Sequence, residues 1–142
     1  MDYSKAFAIS AAGMDVERRR LDVAAVNLAN AQTIAANGSQ AYQPLQVVAR
    51  AAQAGALDFD QMVERGLDMM PVALVEPSGA APRSVYDPSH PQADERGFVS
   101  YPGVDTATEM VTIMSAMRSY EANVAAMTAA RAMALKALDI GG

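Results

Sequence analysis

The side chains that could do chemistry collect in one short stretch of the chain. Asp87, His90, Asp94 and Glu95 lie in a segment that also carries two prolines. A histidine beside carboxylates can bind a divalent cation or act in acid–base catalysis. On a proline-rich loop, however, these residues lack the rigid helical or strand spacing that zinc enzymes use. The sequence therefore predicts no metal site here, and a small hydrolase using this loop is kept only as an alternative.

The usual sequence patterns of catalysis are missing from the chain. There is no nucleophile elbow, no phosphate-binding glycine loop, no zincin helix and no cysteine. The ten methionines could bind soft metals, but methionine side chains far more often fill uneven packing contacts. We therefore predict a protein that is not an enzyme and that needs no cofactor and no metal.

Two apolar heptad patterns lie near the ends of the chain. In the first, large apolar side chains recur at Phe7, Met14, Leu21 and Leu28. In the second, which Arg131 interrupts, they recur at Met110, Met117, Val124 and Leu138, with Ile113, Tyr120, Met127 and Ala134 at the second heptad position. A period of seven forms a narrow seam that packs against another helix. The patterns therefore indicate assembly more than catalysis.

The heptad patterns predict two long helices. The first should begin near Asp2 or Ser4, which are both good N-caps, and run to about Asn30. The second should open with a capping box over Thr106–Glu109 and run to about Leu138.

The predicted fold is mainly α, because the two helices should pair as an antiparallel, coiled-coil-like hairpin once the long connection returns the chain. Residues 1–31 and 106–142 should form one helical domain, and residues 32–105 should form an irregular middle segment that contains some β structure.

Short strands are predicted in that middle segment, over Tyr42–Ala49, Met70–Glu76 and Arg83–Tyr86. Pro44 and Pro71 restrict them to sheet edges or strand starts, so we expect a small meander of low independent stability. Asp58–Gly66 could be a loop or one or two helical turns, and Asp87–Tyr101 is predicted to be irregular.

The placement of charge excludes some partners. The net charge is -5, and the two helical ends are neutral because each carries as many acidic as basic side chains. Without a basic stripe to neutralise phosphates, nucleic acid is not a predicted partner. No stretch approaches the roughly 20 apolar residues of a membrane span, and no cleavable signal peptide is recognisable.

Several motifs resemble those of bacterial flagellar axial proteins, the family of rod and hook subunits. Ala12-Gly13-Met14 and the run Leu21–Ala31 are similar to the family's N-terminal signature, and Arg118–Val124 is similar to its C-terminal signature. In the middle, the motifs at 85–91, 97–99 and 101–105 resemble those of one proximal-rod member in particular. The resemblance covers almost the whole chain, although residues 50–70 match the family pattern least well.

The resemblance implies a structural subunit of the proximal rod that assembles helically through its terminal helices and transmits torque. It also implies export by the flagellar type III apparatus without cleavage. The expected partners are copies of the chain, other rod proteins, the inner-membrane-ring adaptor and the distal rod protein. The terminal helices would pair along the inner tube, with the middle segment facing outward.

Heptad positions and family signatures together select the residues of the predicted assembly interface. They are Phe7, Met14, Leu21, Asn27, Leu28, Asn30, Met110, Ile113, Met117, Tyr120, Asn123, Val124, Met127 and Leu138. Two further alternatives remain from the residues themselves. One is a soluble helical-hairpin adaptor or secretion chaperone, and the other is a different axial subunit of the rod.

Overall fold

The computed structural model describes residues 3–34, 41–51 and 71–140. Within these residues, two long helices lie at the two ends and four short strands lie between them in sequence. The elements are α1 (Tyr3–Asn30), β1 (Leu45–Ala51), β2 (Pro71–Pro77), β3 (Arg83–Tyr86), β4 (Phe98–Tyr101) and α2 (Thr106–Ile140). The prediction of a mainly α fold with a β-containing middle is confirmed. Residues 58–66, for which a loop or short helix was considered, lie outside the described residues.

Asp105 caps the start of α2. Its carboxylate accepts hydrogen bonds from the backbone N–H of Ala107 at 3.1 Å and from the hydroxyl of Thr108 at 2.7 Å. The hydrogen bond from Thr108, followed by the one from Ala107, lowers the pKa of Asp105 below its usual value. The predicted capping box is wrong, because the cap lies one residue before Thr106. The Glu109 carboxylate does not cap the helix and instead accepts a hydrogen bond from the Asn27 amide of α1.

The two helices pack antiparallel along a seam of small residues. Near one end of the pair the Asn27 amide bonds to Glu109, and farther along Gly13 lies against Asn123. The apolar side chains that are buried on the two helices are short, and they are Val16, Ala24, Ala116 and Ala130. A Cβ added at Gly13 would lie only 3.0 Å from the Asn123 side chain. Small residues therefore allow the helix backbones to approach closely.

The inner face of α2 differs by one residue from the face that the large apolar residues predicted. Ala116 is fully buried, whereas the adjacent Met117 is 49% exposed. Met110, Val124 and Leu138, which share the heptad position of Met117, are also exposed, whereas Ile113, Met127 and Ala134 at the second heptad position are partly covered. Apolar side chains surround α2 on nearly every side, so periodicity alone could not select its inner face. Close helix approach instead selected the smallest residues.

The strands form two separate hairpins and not the single meander predicted. β1 pairs with β2 in an antiparallel register that runs from Leu45 opposite Pro77 to Ala51 opposite Pro71. β3 pairs with β4, with Val85 opposite Val99. β4 was missed because its four residues follow a turn-rich segment that was predicted to be irregular. The first hairpin contacts α1 through both of its strands.

The middle of the chain also brings backbone segments very close together. A Cβ at Gly103 would collide with the carbonyl oxygen of Ala81, so only glycine fits between β4 and α2 at this point. Val99 and Pro102 are almost fully buried beside it. Within the described part of the chain, neither helix is apolar enough over a sufficient length to cross a membrane.

A larger residue in the seam should destabilise the hairpin. We expect Ala116→Leu to lower the free energy of unfolding by about 1–3 kcal/mol, because the added carbons force the closely packed helices apart. Thermal and urea unfolding followed by circular dichroism would measure the change. Ala122→Leu is the matched control, since Ala122 is exposed on the same helix. Equal stability of the two variants would contradict the small-residue seam.

Candidate assembly surface

Asn27 is the best-connected side chain of the described structure. It is 1% exposed, and its amide nitrogen donates to the Leu45 carbonyl at 2.8 Å and to the Glu109 carboxylate at 2.9 Å. Its amide oxygen accepts from the Leu45 N–H at 2.9 Å and from the Tyr42 hydroxyl at 2.7 Å. An Asn side chain has two donors and two acceptor lone pairs, so every hydrogen bond it can make is made.

The contacts of Asn27 join three parts of the chain. The amide pairs with the N–H and C=O of Leu45 in the way that a neighbouring strand would, so it anchors the start of β1 on α1. The bond to Glu109 joins the end of α1 to the first turn of α2. Burial, followed by the nearby charge of Glu109, raises the pKa of Tyr42 above its usual 10.0. The phenol therefore remains a donor well into alkaline solution.

The outer flank of α2 carries a row of exposed apolar side chains. Met110, Met114, Met117 and Val124 follow one another at spacings of four, three and seven residues, and all four are exposed. Leu135 and Leu138 continue the line at the end of the helix. We call these six residues the α2 stripe. Glu121, Thr128 and Arg131 interrupt it at the same spacing.

The predicted interface residues divide between two environments. Asn27 is buried, and the residues that are partly covered within the chain are Phe7, Met14, Leu21, Leu28, Asn30, Ile113, Asn123 and Met127. The exposed ones are Met110, Met117, Tyr120, Val124 and Leu138. The Asn30 amide is used locally, because it donates to the Val26 carbonyl of its own helix at 2.9 Å. The structure thus leaves one group of five available to another molecule, and their role in assembly stays a prediction.

Sequence reasoning missed several residues with a structural part in this surface. Met114 and Leu135 were not selected, because they lie outside the heptad positions that were followed. Met114 is four residues from Met110 and Leu135 is three residues from Leu138, so both could have been found by testing the neighbouring helical rows. Tyr42 and Glu109 were also missed as partners of Asn27, because contacts across such long stretches of sequence leave no local pattern.

The loop between β3 and β4 uses its polar side chains to shape its own turns. The Asp87 carboxylate accepts from the hydroxyl and N–H of Ser89 at 2.6 and 3.2 Å, and the hydroxyl bond is the main cause of its lowered pKa. Asp94 accepts from the backbone N–H groups of Arg96 and Phe98. The His90 ring nitrogen Nδ1 accepts from the N–H of Gln92.

No group of three or more His, Asp or Glu side chains gathers as a metal site anywhere in residues 3–34, 41–51 and 71–140. At the mouth of the loop, Tyr86 and Phe98 contact edge to face with ring centroids 5.3 Å apart. Gly97 has a φ of +80°, and a Cβ there would approach the Tyr86 ring to 2.9 Å. The arrangement is that of a tightly folded structural loop.

Comparison with known proteins identifies the family. Residues 95–140 match the family model described as the C-terminal region of flagellar basal body rod FlgEFG proteins. The chain is 37% identical to the flagellar basal-body rod protein FlgC of Salmonella typhimurium, with 95% of each chain covered. It is 39% identical to FlgC of Escherichia coli O157:H7 over 95% of each chain, and 34% identical to FlgC of Bacillus subtilis over 94%. The chain belongs to the FlgC family of flagellar basal-body rod proteins. The resemblance found from the sequence motifs is confirmed.

Removal of the Asn27 amide should destabilise the FlgC-family fold strongly. In Asn27→Ala, the Tyr42 hydroxyl, the Glu109 carboxylate and both polar backbone groups of Leu45 lose a partner. Each buried polar group left without a hydrogen bond costs roughly 1–3 kcal/mol. We therefore expect a clear fall in the urea midpoint, measured by circular dichroism. Asn30→Ala is the control, because the Asn30 amide bonds only locally, to the Val26 carbonyl and the Thr33 hydroxyl. Similar losses in both variants would contradict a special role for Asn27.

Alkaline pH should weaken the hydrogen bond from the Tyr42 hydroxyl to the Asn27 amide. Because the folded-state pKa of Tyr42 is raised, its contribution to stability is complete below pH 10.0 and is lost as the pH rises through the higher folded-state value. We expect the melting temperature of the wild-type protein to fall more steeply above that pH than that of Tyr42→Phe, which cannot ionise. Tyr86→Phe serves as the exposed-tyrosine control. Parallel pH profiles for wild type and Tyr42→Phe would contradict this assignment.

Proposed function

We infer that this protein is a structural rod subunit of the bacterial flagellar basal body, where it assembles with other rod components. The observation that carries this conclusion is the relationship to FlgC proteins over 94–95% of both chains. The relationship favours a rod subunit over a soluble hairpin adaptor or a secretion chaperone.

We propose that the subunit belongs to the proximal rod and assembles helically through its terminal helices. Residues 1–31 and 106–142 would act as one helical domain, with residues 32–105 as a separate middle segment. Repeated contacts between unlike surfaces that do not close into a ring generate a helix. The α2 stripe suits such contacts because its six side chains are apolar and exposed and therefore not covered by α1.

The neutral ends of the chain support dense packing. Each end carries as many acidic as basic side chains, so neighbouring helices would meet without strong repulsion. Burial of apolar surface is worth about 25 cal/mol per Å². Several methionine, valine and leucine side chains of the α2 stripe buried together would therefore stabilise a contact by several kcal/mol. Many such contacts around a tube would transmit torque without any one catalytic residue.

The individual binding partners and the export route are also proposals. The resemblance favours contacts with the inner-membrane-ring adaptor and the distal rod protein, and export from the cytoplasm by the flagellar type III apparatus without removal of a signal peptide. We propose no catalytic activity, because the polar side chains of the 87–97 loop are engaged in turns and the related proteins are named as rod proteins.

A charge placed in the α2 stripe should prevent assembly without unfolding the subunit. Met117 is half exposed on the outer flank of α2, so Met117→Asp should leave the helix content of the purified protein unchanged. In a strain that lacks its own FlgC, we expect this variant to be produced but to restore neither motility nor rod-containing basal bodies. Swimming assays and fractionation of envelope-spanning structures would measure both.

The matched control is Ser115→Asp, which adds the same charge at an exposed polar position of α2 outside the α2 stripe. It should restore motility to a larger extent than Met117→Asp. Leu28→Asp should also abolish assembly, but Leu28 is partly covered within the chain, so folding and assembly would be harder to separate. Normal motility with Met117→Asp would contradict the proposed interface.

A further inference from the structure

Half of the α2 stripe consists of methionine. Met110, Met114 and Met117 are 53%, 53% and 49% exposed. Their spacings of four and three residues make them neighbours on the helix surface, with about 5–6 Å between successive Cβ atoms. We call these three residues the stripe methionines. They place three thioether groups on the surface that is proposed to contact other subunits.

Three further methionines of the described structure differ from them in exposure or in position. Met14 and Met127 are partly covered within the chain, whereas Met133 is 54% exposed. Met133 follows Ser115 after about five complete helical turns, so it lies on the line of Ser115 and outside the α2 stripe. Met133 therefore matches the stripe methionines in exposure but not in position.

Met114 lies beside groups that can donate hydrogen bonds. It lines a shallow cleft of about 260 Å³ on α2 together with Val111, Ser115, Arg118 and Ser119. None of the ion pairs in the described part of the chain includes Arg118. The guanidinium group and the two hydroxyls can donate to an acceptor in this cleft. An oxygen atom attached to the Met114 sulfur would therefore have donors nearby in the separate subunit.

Thioethers that are open to solvent react with peroxides. The sulfur lone pair attacks one oxygen of hydrogen peroxide, the O–O bond breaks, and hydroxide leaves. The hydroxyl now on sulfur gives its proton to that hydroxide, so the products are a methionine sulfoxide and water. The sulfur loses two electrons and the peroxide gains them. The reaction converts an apolar side chain into a polar one, and methionine sulfoxide reductases reverse it.

We propose that the stripe methionines are a peroxide-sensitive modification site that controls whether a separate subunit can join the rod. Each sulfoxide places a polar oxygen on an apolar contact surface. One that is buried without a hydrogen-bond donor should weaken association about tenfold or more. Subunits already in the rod would have these sulfur atoms covered. The inference rests on the proposed rod function and on the α2 stripe as its contact surface.

Oxidation of the full-length purified protein tests the accessibility of the sulfur atoms. We expect dilute hydrogen peroxide to oxidise the stripe methionines and Met133 severalfold faster than Met14 and Met127, as measured by mass spectrometry of peptides. Circular dichroism should show unchanged helix content, because the stripe methionines lie outside the seam between the helices. Equal rates for the covered and exposed methionines, or loss of helix on oxidation, would overturn the proposal.

The decisive measurement compares sulfoxides in separate and assembled subunits. The strain lacks its own FlgC and its methionine sulfoxide reductases, produces this chain, and makes another essential rod component only after a peroxide pulse has been removed. All rods then form from subunits that met the peroxide beforehand. We expect sulfoxides at the stripe methionines to be about tenfold rarer in isolated basal bodies than in the unassembled pool. The sulfoxide at Met133 should be equally frequent in both.

Leucine variants provide matched controls, because leucine and methionine are similar in volume and leucine has no sulfur to oxidise. For each variant, rods are counted with and without the pulse, so that any change in assembly without peroxide cancels. Replacement of all three stripe methionines by leucine should remove most of the loss caused by peroxide. The triple variant Met14→Leu/Met127→Leu/Met133→Leu should stay as sensitive as the unchanged chain.

The two inferences can fail separately. Equal frequencies of stripe sulfoxides in basal bodies and in the unassembled pool would reject the modification site and leave the rod function intact. Equal depletion of the Met133 sulfoxide would also reject it, because exclusion would then not depend on position. Absence of the chain from basal bodies formed without any peroxide would reject the rod function itself.

Discussion

The amide of Asn27 makes four hydrogen bonds from α1 to two other parts of the chain, the segment 42–45 and the first turn of α2, and the arrangement of these elements depends on them. A fully buried amide is stable only when all its polar atoms have partners. Leu45 must therefore lie beside the end of α1, and Glu109 must lie beside the same amide from α2. These hydrogen bonds set the position of the first β-hairpin and the axial position of α2 relative to α1. The cap at Asp105 then fixes where α2 begins.

The packing of α1 against α2 determines which apolar side chains remain exposed. Short residues occupy the seam, as Ala24 and Ala116 show, so the backbones approach closely and little room is left there for methionine or leucine. The larger apolar side chains are consequently displaced to the flank of α2. A monomer gains little from this arrangement, since its core is thin and apolar surface remains exposed. A subunit whose flanks meet other subunits gains the burial that the monomer lacks.

The middle segment follows a different physical rule from the helices. Its polar side chains close short turns around β3 and β4, where Asp87 and Asp94 accept hydrogen bonds from nearby backbone N–H groups. Carboxylates used in this way shape the loop and are poorly suited to gather around a substrate. Three of the residues that first suggested chemistry, Asp87, His90 and Asp94, therefore shape the loop. Gly97 and Gly103 allow approaches in this segment that any larger residue would obstruct.

The amino-acid sequence by itself determined the existence and length of both helices, their pairing as an antiparallel hairpin, and the family, because heptad spacing and signature motifs are local properties. It did not determine which face of α2 turns inward. Large apolar residues lie on almost every side of that helix, and only contact with α1 shows that Ala116 is buried while Met117 is exposed. The partners of Asn27 and the pairing of β3 with β4 were likewise decided by the tertiary structure. Each depends on groups that are distant in sequence, and no local pattern records which of them meet in space.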